Sequence, residues 1–297
     1  MGMEHGQSAE VMVMVAARTD VGRVRKNNED AFSVTDLESG TVLELGDATS
    51  ERPLGERGIL LVLSDGMGGR QSEEMASGIV VKALPSAVLN DVSSIAPDAK
   101  LVSAARSTNQ EVIAAANTTT TTGMGATMTV VLLAGSHAYV AQVGDSRAYV
   151  LREDKFRQLT HDQSLAQLLV DAGALSPEQA RHSSRKNVIL QAIGQAADIR
   201  VATAILEMRR GDRFLLCCDG LSNHVNDDEL RDILGTQGPA EASRKLVDLA
   251  NERGGTDNIT VIVAHLAGGG LQLPIPGESV TATFKIVQDF GPAHASV

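Results

Sequence analysis

The chain has no tryptophan, and its other aromatic residues come to only 2%. Apolar residues still make up 43%, so a sizeable core can form, but it has to be assembled from Val, Leu, Ile, Ala and Met. Cysteine is almost absent. Cys217 and Cys218 are the only two, and neighbours in an extended strand point to opposite faces, so they are not expected to bridge each other. Without a cysteine framework or a secretory leader, the expected setting is reducing and cytoplasmic. No apolar run reaches the roughly 20 residues of a membrane-spanning helix. Positive charge is also scarce: 26 Lys and Arg stand against 37 Asp and Glu, a formal net charge of -11. That removes any general attraction for nucleic acid or an anionic membrane surface. No Pro/Ser-rich linker divides the 297 residues, which favours one large domain.

Acidic residues in turns are plentiful. Asp30 lies in Asn27-Asn28-Glu29-Asp30, Asp65 in Ser64-Asp65-Gly66-Met67-Gly68-Gly69, Asp145 in Gly144-Asp145-Ser146-Arg147, Asp219 in Cys218-Asp219-Gly220, and Asp257 in Gly255-Thr256-Asp257-Asn258. Three of these follow apolar, β-rich runs. A carboxylate at the end of a buried strand is poorly placed for a surface ion pair and well placed to converge with others on a hard cation such as Mg²⁺ or Mn²⁺. Taken singly, each motif has a plainer reading, because Asp-Gly is a common turn dipeptide and Thr256-Asp257-Asn258 alone suits a cap.

Residues 1–10 read as a disordered start. The run 11–17 is β-rich, and 31–35 is expected to pair with it. Residues 36–57 read as a loop, and the continuous apolar run 58–63 as a fully buried strand. Helical spacing marks 72–90 and 98–117, and the hydroxyl-rich 118–122 reads as a connector. The period then changes to that of three consecutive strands over 127–134, 137–143 and 147–152. Residues 164–172 form a short helix, Ser176 and Gln179 a capping box ahead of the next, and Asn226 with Glu229 another. The stretches around 206 and 214–218 are strand-like, 240–252 is helical and 258–266 is the last core strand. Residues 267–297 read as a tail or the start of a linker, with 281–287 as an added strand. Strands grouped apart from helices argue for antiparallel sheets with helices outside them, an α+β class rather than a βαβ repeat.

In order along the chain, these blocks resemble the metal-dependent protein Ser/Thr phosphatases of type 2C, the PPM family, and more closely their bacterial branch. The blocks are Arg25-(three residues)-Glu29-Asp30-Ala31, Asp65-Gly66-Met67-Gly68-Gly69, Gly123-Met124-Gly125-Ala126-Thr127, Val143-Gly144-Asp145-Ser146-Arg147, Leu159-Thr160-His161-Asp162, Cys218-Asp219-Gly220-Leu221 and Asp257-Asn258-Ile259-Thr260. The resemblance runs from about residue 16 to 265. It implies a four-layer α-β-β-α sandwich, two antiparallel sheets flanked by helices, over a catalytic domain spanning 11–266. It also implies two core Mn²⁺ or Mg²⁺ ions and a third, weaker one. Asp65 would bridge the two core ions, the Gly66 carbonyl would bind one of them, and Asp219 and Asp257 would complete the other shell. Glu29 and Asp30 would hold waters or ligate opposite, Asp145 would form the third site with Asp219, and Arg25 would grip the substrate phosphate. The implied reaction is hydrolysis of phosphoserine and phosphothreonine by in-line attack of a metal-bridging hydroxide, without a phosphoenzyme. The implied partners are phosphorylated proteins, namely Ser/Thr kinases and their substrates, met by a monomer.

The pattern departs from the family in places. Animal members often carry a His where Met67 stands, as a candidate general acid, and many bacterial members have a second His at Gln163. His161 therefore reads as structural or substrate-near, and Cys217 and Cys218 as core residues. The 165–187 stretch, with Arg181, His182 and Arg185, matches the family's flap beside the active site and is where substrate selectivity is expected. A non-catalytic regulatory module on this fold would show a missing metal carboxylate, and none is missing. A stress-response or sporulation regulator with the same reaction and a different substrate stays open.

Overall fold

The apolar run at 59–63 is continuous because both of its faces are covered: Ile59, Leu61 and Leu63 enter one buried layer, Leu60 and Val62 another. The computed structural model describes residues 10–290, apart from 69–70, 94, 120–122, 182 and 184. The expected disordered start up to residue 9, Gly69, His182, most of the 118–122 run and the end of the expected tail lie outside the described residues.

The strands are β1 (Val11–Asp20), β2 (Asp30–Asp36), β3 (Thr41–Val42), β4 (Ser50–Pro53), β5 (Ile59–Met67), β6 (Gly125–Ala126), β7 (Met128–Ala134), β8 (His137–Val143), β9 (Arg147–Arg152), β10 (Lys155–Gln158), β11 (Ala202–Glu207), β12 (Arg213–Cys217), β13 (Ile259–Gly268) and β14 (Phe284–Gln288). The helices are α1 (Gln71–Asn90), α2 (Pro97–Thr119), α3 (Leu165–Asp171), α4 (Pro177–Arg181), α5 (Asp219–Ser222), α6 (Asp227–Thr236) and α7 (Pro239–Glu252). One sheet runs β10-β9-β12-β13-β1-β4, the other β14-β11-β8-β7-β5-β2-β3, with β6 beside β5. Every strand pairing is antiparallel.

Three apolar layers hold this together. Val13, Val15, Leu61, Val131, Phe214 and Ile262 lie between the sheets. Leu60, Val80, Leu84, Leu101, Val112 and Val130 fill the space under α1 and α2. Leu215, Leu230, Leu246, Val261 and Val263 fill the space under α6 and α7. The fold is the α+β arrangement of two helix-flanked antiparallel sheets that the strand order implies. Cys217 and Cys218 are free and buried in different layers, as their adjacency in a strand requires. No helix among the described residues is long and apolar enough to cross a membrane.

Two local expectations are corrected. β2 does not pair with β1: it joins β5 and β3 in the other sheet, so the loop at 21–29 crosses from one sheet to the other. The expected loop at 36–57 contains β3 and β4, polar edge strands whose residues are mostly exposed and so carry no hydrophobic period.

Beyond β13 the chain stays on the domain. β14 pairs with β11, and the Arg157 guanidinium lies 4.9 Å from the centre of the Phe284 ring. Glu278 takes two hydrogen bonds of 3.0 Å from Arg209, and its carbonyl accepts from Lys155 Nζ at 2.7 Å. Arg152, with 1% of its side chain exposed, donates to both oxygens of Asp212 at 2.8 and 2.7 Å and to Thr283 Oγ1 at 2.8 Å. The segment therefore ties the β9–β10 edge of one sheet to the β11 edge of the other, and we propose that residues 269–288 belong to the folded unit. Glu278→Ala removes one of two carboxylate partners of Arg209, since Glu207 Oε1 still accepts from it at 2.7 Å. The expected loss is about 1.5 kcal/mol, the worth of a charged hydrogen bond, or roughly 3–6 °C in the thermal midpoint. An unchanged midpoint would show that the segment only rests on the surface.

Candidate metal centre

Alternation delivers the acids to the space between the sheets. On β5 the row Ile59, Leu61, Leu63 continues to Asp65, and on β2 the row ending in Val34 and Phe32 begins with Asp30. The register sets Asp30 directly opposite Asp65. Like charges in that relation repel, so the pair is an electrostatic fault unless something cationic sits with it. The other expected residues come to the same end of the sandwich. Asp145 is in the β8–β9 turn, Asp219 opens α5 just past β12, Asp257 precedes β13, and Arg25 and Glu29 lie on the crossing loop.

Close approach of backbones makes glycine necessary at two points. A β-carbon on Gly66 would overlap the Glu73 and Glu29 carbonyls, and one on Gly220 would overlap the Asn258 carbonyl. Asn258 pins the crossing loop down. Its Oδ1 accepts from the Glu29 N–H at 2.8 Å, and its Nδ2 donates to the Val21 and Asn27 carbonyls, both at 2.9 Å. The Glu29 carbonyl in turn accepts from Gly66 N–H at 3.1 Å and Ser77 Oγ at 2.6 Å. Thr127 Oγ1 accepts from the Asp65 N–H at 2.9 Å.

The carboxyls hold their protons against the ordinary order. Burial, then mutual repulsion with Asp30, Asp219, Asp145 and Asp257, drives Asp65 well above the carboxylate range. Burial and Asp219 do the same to Asp145. Burial pushes Asp30 up to about 7, with Asp219 and Asp257 adding to it. Asp219 rises to about 6 through burial and Asp257, with Lys186 opposing. Glu29 rises to about 7 through burial and the neighbouring Glu73. Both Asp30 oxygens and Asp145 Oδ1 are buried without a hydrogen-bond partner. The Thr260 hydroxyl and the Cys218 thiol lie near enough to Asp30 to oppose that rise, while Thr260 Oγ1 is also 2.7 Å from Thr19 Oγ1 and the thiol donates to the Asn258 carbonyl at 3.3 Å.

Buried carboxylate oxygens without donors, set among like charges, fit hard divalent cations. Among the described residues no three His, Cys, Asp or Glu side chains form a ready cage around one ion. A hydrated Mg²⁺ or Mn²⁺ does not need one, since such ions are commonly held by one or two carboxylates and keep several waters. Arg25 is on the rim, donating to Glu29 Oε2 at 3.0 Å and Asp257 Oδ2 at 2.8 Å, with 42% of its side chain exposed.

A cleft of about 340 Å³ opens beside the cluster, lined by Asp145, Asp219, Asn223, His224, Lys186 and Arg181. Its far wall is the α3–α4 segment that was expected to act as a flap. His161 lines a different hollow and pairs with Asp171 at 2.8 Å. The Met67 sulfur accepts from Gln195 Nε2 at 3.4 Å. Glu73 and His224 had no signal in the sequence, Asn258 was visible only as part of the Asp257 block, and Lys186 only as part of the flap stretch. Each is a polar residue in a helix or loop, brought in by tertiary contact.

The family model for protein phosphatase 2C matches residues 27–250. The Ser/Thr protein phosphatase PstP of Mycobacterium tuberculosis is 37% identical over 259 residues, covering 86% of this chain and 45% of that protein. The chain thus spans about half the length of PstP. The Ser/Thr phosphatase stp of Listeria innocua is 34% identical over 253 residues, covering 84% of this chain and 94% of that one. A crystal structure of PstP superposes with a TM-score of 0.74 at 35% identity, covering 86% of this chain and 99% of that one. The PstP catalytic domain in complex with two manganese ions superposes with a TM-score of 0.72 at 35% identity, over the same shares of 86% and 99%.

Carboxyls whose pKa folding raises bind more protons in the native than in the unfolded chain. Their contribution to stability is present below the ordinary carboxylate range and is lost as pH climbs through 6 to 7, where Asp219, Glu29 and Asp30 titrate. In EDTA the unfolding midpoint is therefore expected to fall between about pH 5.5 and pH 8, and Mg²⁺ should restore it most at the higher pH. A midpoint in EDTA that holds steady or rises over this range, with no response to Mg²⁺, would contradict the cation reading.

Proposed function

The chain belongs to the protein phosphatase 2C family, and from that membership and the buried acidic cluster we propose that it is a Mn²⁺- or Mg²⁺-dependent hydrolase of phosphoserine and phosphothreonine in proteins. The observation that carries the reading is the cross-strand pair of Asp30 and Asp65, in which both Asp30 oxygens are buried without a partner, in a chain where no metal carboxylate of the family is missing. Asp65 would lie between the two core ions, with the Gly66 carbonyl, Asp219 and Asp257 completing their shells and Glu29 and Asp30 holding waters on the opposite side. Asp145 with Asp219 would take a third, weaker ion. Such ions would supply charge neutralisation for a phosphate dianion and a bound water acidic enough to serve as an in-line nucleophile, chemistry that would need no phosphoenzyme.

The protein's own groups set up that displacement. Arg25 stands at the exposed margin of the acidic cluster between Glu29 and Asp257, where its planar guanidinium can turn two donors to a phosphate's oxygens. The Asn258 clamp and the close packing of Gly66 and Gly220 keep the acidic ends of β2, β5 and β12 from spreading. Lys186 faces Asp219 across the cleft and adds positive charge where a phosphorylated chain would lie. His161 points to another hollow and Met67 cannot donate a proton, so the leaving alkoxide would take its proton from a metal-bound water or another residue, or, with a good leaving group, need none. The polar cleft and the flap suit an exposed phosphorylated segment of a protein. Ser/Thr kinases and their substrates are the proposed partners.

Hydrolysis of a phosphothreonine peptide by the purified protein, with Mn²⁺ and then with excess EDTA, tests the reading. Phosphate release that needs Mn²⁺ and stops with the chelator is expected. In the same assay Arg25→Ala should raise KM about tenfold to a hundredfold, the worth of a charged hydrogen bond. No release by protein with Mn²⁺ demonstrably bound would turn the account towards a non-catalytic module.

A further inference from the structure

We infer that Gln163 is a positioning residue that holds the Asp145 turn and both ends of the flap segment on a single buried post. It is fully buried. Towards the turn, its Oε1 accepts from the Gly144 N–H at 2.8 Å and its own N–H donates to the Gly144 carbonyl at 3.0 Å. Gly144, at φ +105°, is the residue before Asp145, and a β-carbon there would meet the Thr127 side chain at 2.7 Å. The turn therefore lies close against Thr127, and Gln163 holds it there through both Gly144 backbone groups.

Towards the flap, the chain leaves Gln163 directly into Ser164, whose hydroxyl caps α3 by accepting from Gln167 N–H. It returns at Leu190, whose N–H donates to the Gln163 carbonyl at 2.8 Å, and at Gln191, whose Nε2 donates to Gln163 Oε1 at 3.1 Å. Gln191 is itself fixed by two bonds of 2.7 Å to the backbone of Arg200. Both ends of residues 164–190 thus close on one side chain and its backbone.

The post is wired to the rest of the site by buried polar groups. Gln163 Nε2 donates to the Gln142 carbonyl at 3.3 Å. Gln142 Nε2 donates to the carbonyls of Gly144 at 3.2 Å and Ser146 at 3.0 Å. Ser146 Oγ is 2.8 Å from Thr127 Oγ1, the group that receives the Asp65 N–H. Such a network is rigid when fully satisfied and costly when one member is lost. A flap displaced by a docking phosphoprotein therefore pulls on Gly144 and so on the carboxylate of Asp145. The inference rests on the metal reading of Asp145 for its consequence, but not for the clamp itself.

Gln163→Met keeps the side-chain volume and removes three hydrogen bonds. Hydrogen exchange of amides in 164–190 is expected to speed up about tenfold, the worth of one buried hydrogen bond, while the amides of β5 and β7 keep their rates. Direct Mn²⁺ titration should show the weakest site loosened about tenfold and the tighter sites unchanged, and KM for a phosphoprotein should rise more than kcat falls. Gln191→Met, which leaves the bonds to Gly144 intact, should speed exchange in the flap without loosening the weakest site, and it carries the test if the first variant does not fold. Unchanged flap exchange in either variant, or equal acceleration in β5 and β7, overturns the clamp. Faster flap exchange with all Mn²⁺ affinities unchanged overturns the link to Asp145. A wild-type protein without a weak site would instead count against the metal reading, and the exchange results would still decide the clamp.

Discussion

Repulsion among buried carboxylates is the constraint around which this structure is organised. Asp30 faces Asp65 across a strand pair, and Asp145, Asp219 and Asp257 close in from three other turns. In a medium of low dielectric these charges cannot coexist without protons or cations among them. Among the described residues, Arg25 bridges Glu29 and Asp257 at the margin, Lys186 acts on Asp219, and Arg147, itself paired with Asp162, acts on Asp145. The three apolar layers behind the cluster supply the stability that lets the fold carry such a destabilising end.

The two ends of β12 make the point by contrast. Before it, Asp212 is fully buried, and its oxygens accept from Arg152 and from the Arg209 N–H. That carboxylate is satisfied within the chain and serves to tie the C-terminal segment down. After it, Asp219 opens a four-residue helix and, among the described residues, its side chain takes the Asn223 amide at 3.1 Å, while neither Asp30 oxygen nearby takes a hydrogen bond. The same residue type is structural at one end and left wanting a partner at the other. The difference lies in whether an arginine was built in beside it.

Much of this was legible in the sequence because it follows from period. The row Ile59, Leu61, Leu63, Asp65 places an acid at the end of an inter-sheet face, and Asp219 follows the strand-like 214–218 in the same way. The helix boundaries set by Asn226 with Glu229 and by Ser176 with Gln179 were readable because a capping box is a local chemical signal, and both boxes are present. Pairing partners were harder. Successive β-rich runs usually neighbour each other, but here the loop at 21–29 carries the chain to the opposite sheet. Strands β3, β4 and β10 are short and polar and have no period to detect. Least visible were the residues that hold the acids in place. Asn258, Thr127, Gln142 and Gln163 act through amide and hydroxyl contacts between residues far apart in the chain, and nothing in the local sequence marks such contacts.

The central claim is that the acidic end of the sandwich is a divalent-cation centre, and anomalous diffraction from crystals grown with Mn²⁺ tests it most directly. The account predicts anomalous peaks beside Asp65, with Asp219 and Asp257 among the nearest protein groups. Crystals with Mn²⁺ in the mother liquor and no peak among these carboxylates, or peaks only at surface acids, would contradict it.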